Sequence, residues 1–340
     1  MSESDLHRRP SDRSRKNAAR PPLADDAAPH RIGVLLVPGF ALMTYSCAVE
    51  PYRAANTLSG RELYRWLHIS PDGGPVVASN GVAIVPDQGI DRPVDVDDLF
   101  VCAGGNPTLF DHGPTLKWLR AQARRGTRIG GVAGGPVILG RAGLLAGYRC
   151  TMHWEYIPAF KEMFQRHHVT TARYEIDGMR CTSSGGAAAM EMMTALIGRR
   201  YDRTLASAVS EWFLHSRLTA AGEPQRMSLR DRYGVRHAPL LSVLEHIEAS
   251  IEEPVDRRSL AETAGVSVRQ LERLFRAHLG HTIGEHVLTL RLDRARMLLR
   301  QTSMSVLDIA VATGFASAAH FSRSFRQRFG HAPRMERKHI

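Results

Sequence analysis

The sequence predicts two domains of different class: an α/β domain with a mainly parallel sheet, then an all-α domain holding two helix-turn-helix units. Three observations lead there. Through the first half of the chain, short apolar runs end in glycine-rich turns and lead into helical segments; from Pro239 onward every periodic stretch is helical; and the C-terminal stretch aligns with itself. At 340 residues the chain also exceeds what one hydrophobic core usually serves.

Residues 1–30 mix Ser, Arg, Asp, Pro and Ala without apolar periodicity and are expected to form a disordered tail. Ile32 to Val37 is an almost wholly apolar run ending in Pro38-Gly39, as a buried parallel strand does at its carboxyl end. A helix is expected over Thr44 to Leu58. Further strands are expected at Trp66 to Ser70, at Leu99 to Cys102 before Ala103-Gly104-Gly105, and at Arg128 to Val132 before Gly134-Gly135. Helices are expected at Thr115 to Arg125 and Pro136 to Leu145. Such a domain, here 31–198, carries its functional groups in loops beyond the carboxyl ends of the strands. A helix over Asp202 to Arg217 and a polar stretch rich in Arg and Gly make up a helix-and-linker segment, 199–238. The helical domain follows at 239–337.

Within it two units align, displaced by 49 positions before a turn (Ala261 on Ala310, Gly265 on Gly314) and by 50 after it (Ser267 on Ser317, Leu271 on Phe321, Arg273 on Arg323, Phe275 on Phe325, Gly280 on Gly330). Each unit opens on a capping signature, Ser259-x-x-Glu262 or Ser305-x-x-Asp308, and Ser267-x-x-Gln270 repeats it before the second helix of the first unit. Helix, short Gly turn, helix is the form whose second helix enters the DNA major groove. Leu271, Leu274, Phe275, Phe321, Phe325 and Phe329 recur at three or four residues and should face the core. The opposite faces carry Arg269, Gln270, Glu272, Arg273 and Arg276 in one unit and His320, Ser322, Arg323 and Arg326 in the other. Arginine can bond guanine in bidentate fashion or neutralise phosphate. Two aligned copies with matching caps and arginines favour double-stranded DNA as partner over ordinary solvated faces of a bundle.

Composition agrees. Lys and Arg number 45 against 34 Asp and Glu, a net charge of +11 that points to a polyanionic partner. No apolar run approaches a membrane span, and Arg and Pro stand where a signal peptide needs an apolar stretch, so no membrane association and a cytoplasmic location are expected. Cys47, Cys102, Cys150 and Cys181 lie far apart with no Cys-x-x-Cys pair, and neither a metal site, a cofactor nor a disulfide framework is expected.

The segments "SLAETAGVSVRQLERLFRAHLG", "RLDRARMLLRQT" and "SVLDIAVATGFASAAHFSRSFRQRFGHAP" resemble the DNA-binding domain of AraC/XylS-type regulators. Ile283 departs from the pattern, where such proteins usually carry a proline matching Pro333. The resemblance implies one monomer placing two recognition helices in successive major-groove segments, with Arg269, Arg273, His320 and Arg323 the best candidates for base contact. "IGVLLVPGFALMTYSCAVEPYRAAN", "LFVCAGGNP", "GGVAGGPVILGRAGLLAGYRCTMHWE" and "YEIDGMRCTSSGG" in turn resemble the class I glutamine amidotransferase-like domain of the ThiJ/PfpI kind, which implies a flavodoxin-like sheet.

Enzymatic relatives of that domain hold a Cys on a tight strand-to-helix turn with a nearby His and a Glu from the first helix. His153 and Glu50 match the latter two, but Ala133 stands where the Cys would be. A methyl group cannot attack a carbonyl, so Cys-type catalysis is excluded there and no enzymatic activity is expected. What remains is a pocket frame: Gly134 and Gly135 at a helix start for an anionic group, Glu50 for a cationic one, Trp154 or Tyr45 as an ammonium face, with Gly105 and His153 beside them. The architecture implies a regulator, expected to be an activator, that senses a small nitrogenous metabolite such as an amino acid or betaine, dimerises through its N-terminal domain and meets RNA polymerase. Two alternatives stay open: a ligand-independent DNA binder whose α/β domain only oligomerises, and a DNA-tethered hydrolase, which Ala133 disfavours.

Overall fold

The computed structural model describes residues 28–215 and 222–337; the expected tail therefore lies, up to residue 27, outside the described residues. One seven-stranded sheet runs in the order Tyr174–Asp177, Arg180–Ser183, Arg128–Ala133, Asp98–Ala103, His30–Leu36, Tyr64–Ser70, Gln88–Gly89. Only the first pair is antiparallel. The four expected strands are all present. The hairpin Tyr174–Asp177 and Arg180–Ser183 was not expected as strand, because four residues on each side of a Gly178 turn carry too short an alternation to read.

The central strands are apolar on both faces because helices cover both. On one side Leu42–Ser59, Ala187–Arg200 and Arg203–Trp212 pack Tyr52, Met192 and Met193 against Val34, Leu36 and Phe100. On the other, Gly113–Arg124, Gly135–Arg141 and Ile157–Met163 pack Leu119, Ile138 and Phe160 against Leu35, Leu99 and Val101. The helix expected to reach Leu145 ends at Arg141, since Gly143 turns left-handed at φ +72°. The one expected from Asp202 begins there, with the Asp202 carboxylate accepting from Leu205 N–H at 2.8 Å, and stops at Trp212 ahead of Leu214 at φ +55°.

The C-terminal half is helical: Ala238–Ala249, Arg257–Thr263, Val268–Leu279, Ile283–Gln301, Val306–Ala312, Ala318–Phe329 and Pro333–Glu336. The helix Ile283–Gln301 serves two cores. Its first half, through Ile283 and Val287, packs with Leu244, Leu260, Leu271 and Phe275; its second half, through Leu292, Ala295 and Leu299, packs with Ile309, Phe321 and Phe325. The caps at Ser267 and Ser305 form as complete capping boxes with Gln270 and Asp308. Ser259 does not cap its unit. Asp256, three residues before Ser259 and extended at φ −93° and ψ 106°, accepts from Arg258 N–H, so Ser259 falls inside the first turn. An unforeseen box, Thr282 with Glu285, starts the central helix, and so the buried Ile283 begins it without proline.

The two halves touch. Ala159 is buried in the core of the second helix-turn-helix unit, and the Asn106 amide and Thr108 hydroxyl donate to the carbonyls of Arg300 and Gln301, groups that a helix end leaves unpaired.

Candidate ligand pocket and DNA-reading surface

The strand Arg128–Ala133 turns sharply into the helix Gly135–Arg141, and Ala133 sits at the turn with φ 55°. A left-handed, non-glycine residue costs about 1 kcal/mol or more, so this elbow keeps its strain without a nucleophile. His153 N–H donates to Ala133 O at 3.2 Å and fixes the following loop beside it. There a cavity of about 550 Å³ opens, lined by Ala133, Gly105, His153, Trp154, Tyr156, Gly186 and Gln225 among others. That size suits a small metabolite.

Of the expected pocket residues the fold brings together Gly105, Ala133, His153 and Trp154. Glu50 is elsewhere. Its carboxylate lies half-exposed on the helix Leu42–Ser59, held by Arg53 Nε at 2.7 Å, because three residues on a helix make natural ion-pair neighbours. Gly134 and Gly135 are buried structural glycines: Gly134 N–H is already committed to Ala103 O at 2.9 Å, and a Cβ at Gly135 would collide with Val101 O. Tyr45, also considered for an ammonium face, bonds His68 Nε2 through its hydroxyl at 2.9 Å.

The opposite wall was not expected from the sequence. Gly185 and Gly186 lead into the helix Ala187–Arg200, whose start lines the cavity; its cap residue Gly186 has no side chain, and Gly186 N–H donates to Thr44 Oγ1 at 2.9 Å; "CTSSGG" before an apolar helical run was the available signal. Arg173 also lines it, but its guanidinium is clamped by Glu191 through bonds of 2.7 and 2.8 Å. Burial holds the His153 pKa below the usual histidine range, partly countered by Glu155 at 3.8 Å. The imidazole is therefore neutral at pH 7 and lies against Trp154 at a tilt of 38°, with ring centroids 5.3 Å apart.

No thiol substitutes at the elbow. Cys102, Cys150 and Cys181 are buried, and burial pushes Cys150 and Cys181 up to about 12 and Cys102 higher still. Among the described residues no group of three or more His, Cys, Asp or Glu side chains is placed to hold a metal ion. Nor is any described helix long and apolar enough to cross a membrane.

The helices Val268–Leu279 and Ala318–Phe329 bury Leu271, Phe275, Phe321 and Phe325 and leave Leu274 and Phe329 half-buried. Arg269, Gln270, Arg273, Arg276, His320, Arg323 and Arg326 are exposed on the other faces. Glu272 and Ser322 are half-buried, and Glu272 pairs with Arg257 at 3.3 Å. Gln270 Oε1 accepts from Ser267 N–H at 2.9 Å, so its amide oxygen is occupied within the cap. Between the two units lies a groove of about 660 Å³ lined by Val255, Leu288, Val311 and Phe315. Its one guanidinium, Arg291, is consumed by the carbonyls of Ile251, Glu253 and Gly314, and Glu252 and His320 complete its polar lining.

Residues 30–199 match the DJ-1/PfpI family, and residues 260–339 match a helix-turn-helix domain. The HTH-type transcriptional regulator GbdR of Pseudomonas aeruginosa is 46% identical over 310 residues, spanning 91% of this chain and 84% of that protein. The HTH-type transcriptional regulator GlxA of Rhizobium meliloti is 43% identical over 311 residues, spanning 91% and 96%. Among solved structures, an AraC family transcriptional regulator from Pseudomonas putida superimposes with a TM-score of 0.50 at 28% identity, covering 54% of this chain and 100% of its own. The chain belongs to the AraC-type helix-turn-helix transcriptional regulators that carry an N-terminal DJ-1/PfpI domain.

Proposed function

We propose that this regulator is controlled by a small zwitterionic nitrogen compound, of the amino acid or betaine kind, bound in the cavity beside Ala133. The observation that carries the reading is a 550 Å³ cavity at an elbow whose reactive position is a methyl group. Such a site holds a ligand without turning it over. Its two ends differ in chemistry. Gly186 N–H is held by Thr44 Oγ1 at 2.9 Å, so the helix start offers a carboxylate the Ala187 N–H and the positive end of a dipole. Trp154, with Glu155 beside it, offers a π face and a negative charge to an ammonium group. His153, neutral and tilted against the indole, orients it.

In this reading the cytoplasmic protein acts as an activator, a homodimer through its α/β domain that contacts RNA polymerase, with base readout from the exposed arginines of both reading helices. The test is a thermal shift of the full chain against amino acids and their N-methylated forms. A ligand at one hundred times its Kd adds about 2.7 kcal/mol to stability. Trp154→Ala and His153→Ala should lose the shift and the ligand-dependent transcription, while Glu50→Gln keeps both. If no nitrogen compound stabilises the parent, or if Trp154→Ala responds fully, the pocket assignment fails.

A further inference from the structure

The segment joining the two domains lies outside both matched regions, and yet it forms part of the pocket. Glu223 to Gln225 run alongside residues 171–173 as an added edge: Arg173 N–H donates to Glu223 O at 3.0 Å, Gln225 N–H to Thr171 O at 3.2 Å, and Ala172 bridges Pro224. The Gln225 amide nitrogen then donates to Thr151 Oγ1, Met152 O and Ala172 O at 2.8–3.0 Å. Two of those acceptors are carbonyls, which require the nitrogen on that side and fix the amide's orientation. Gln225 Oε1 is left enclosed with no partner. The linker is thus laid into the cavity wall in a state that leaves one acceptor unsatisfied.

The next residue leaves the wall and joins the domains. The Arg226 guanidinium stands 4.8 Å from the centre of the Trp154 ring, and its Nη1 lies 3.9 Å from Glu248 Oε2 on the helix Ala238–Ala249 of the first reading unit. Glu248 does not need it: Arg232 bonds both of its carboxylate oxygens at 2.6 and 2.9 Å and the Tyr233 hydroxyl adds a third bond at 2.7 Å. Burial and the like charge of Arg232 both depress the Arg226 pKa, so the site disfavours this guanidinium and the indole face is its chief attractive neighbour on the sensor side.

We propose that Arg226 is a tethered cation that competes with the ligand for Trp154, so that ligand binding displaces it and uncouples the linker from the sensor domain. This rests on the cationic ligand of the proposed function. Only one cation can hold a given indole face at contact distance, and two like charges pressed together there repel. A ligand ammonium on Trp154 therefore removes the contact through which Arg226 links Trp154 to Glu248 of the first helix-turn-helix unit, and with it a restraint on the Gln225 segment.

The experiment uses the full chain, with tetramethylammonium chloride as probe against equal sodium chloride. Binding is read from tryptophan emission, and Trp154→Phe supplies the blank. Arg226→Met keeps the apolar stem and removes the competitor; Arg226→Lys keeps a cation and should behave like the parent. The expected result is a Kd several-fold lower in Arg226→Met. Hydrogen exchange at the Gln225 amide should be faster in that variant than in the parent, and the probe should speed it in the parent alone. Equal Kd values in parent and Arg226→Met overturn the competition while leaving the pocket standing. Equal exchange rates overturn the restraint. Failure of the probe and of every amino acid or betaine to bind either protein brings down the pocket reading, and the competition with it.

Discussion

Ala133 and Gly185 meet at the wall of the cavity so closely that a Cβ on Gly185 would lie 2.6 Å from the Ala133 methyl and 2.9 Å from Thr44 Oγ1. Gly185 is also left-handed, at φ +89°. Gly185→Ala should therefore destabilise the chain by about 1–3 kcal/mol through overpacking, with backbone strain added. Ala133→Gly in that background should recover part of the loss, since it removes both the clashing methyl and the elbow's own strain. Urea unfolding of the two single variants and the double one checks this; strict additivity would show that the two residues do not meet.

Thiol chemistry gives a second expectation. Cys47 is the one cysteine that is only half-buried, the other three being enclosed with their pKa values pushed far up by burial. Iodoacetamide at pH 8 should modify the native protein slowly, at Cys47 alone, and no amide or ester turnover should accompany it. Peptide mapping that finds fast labelling at Cys102 or Cys150 would contradict the buried assignment. Ala133→Cys should add a second labelled site, because that position faces the cavity.

For DNA, Arg273→Ala or Arg323→Ala should weaken specific binding by about 1–3 kcal/mol, as loss of a bidentate base contact does. Competition with random-sequence DNA separates the possibilities. Equal losses on both would mean phosphate contact only.

Acid should loosen the first reading unit through His286. Burial, with the neighbouring His281, pushes its pKa down to about 4; Tyr233, Phe275, Arg232 and Glu248 face the ring, and Nδ1 shares a 2.9 Å hydrogen bond with His281 Nε2. Above about pH 6.5 the ring is neutral in both folded and unfolded chains. As the pH falls from there toward 4, the unfolded chain takes up a proton that the folded one refuses, so stability declines by at most about 1.4 kcal/mol per pH unit. Melting temperatures of the parent and His286→Gln between pH 7 and 4.5 should diverge, with the variant the less acid-sensitive.

What the sequence showed and what it hid follow from range. The repeat was legible because Ser267 and Ser305 act on N–H groups three residues away, and Phe275 and Phe325 recur at helical spacing. Strands such as Leu99 to Cys102 were legible because burial on both faces leaves a continuous apolar run. Ser259 misled for the opposite reason: two cap-forming residues stood within one turn, and the earlier one, Asp256, starts the helix. Glu50 misled because matching a family position said nothing about its neighbour Arg53, which holds it on the helix surface. Gln225 gave no local sign at all; its partners Thr151 and Ala172 are brought to it by the sheet, across 74 and 53 positions of chain.

The helix Ile283–Gln301 is shared by both reading units, its first half buried in one core and its second half in the other. It is therefore a ruler with a phase as well as a length. Each residue advances about 1.5 Å and turns about 100°. One alanine inserted between Leu290 and Leu292 would swing the helix Ala318–Phe329 about a third of a revolution relative to Val268–Leu279. Four inserted alanines restore the facing to within about 40° but lengthen the span by about 6 Å. On the reading proposed above, in which both helices touch DNA, an operator should tolerate changes in the bases between its two contacted segments but not in their number, a spacing that the pitch of a single helix would set.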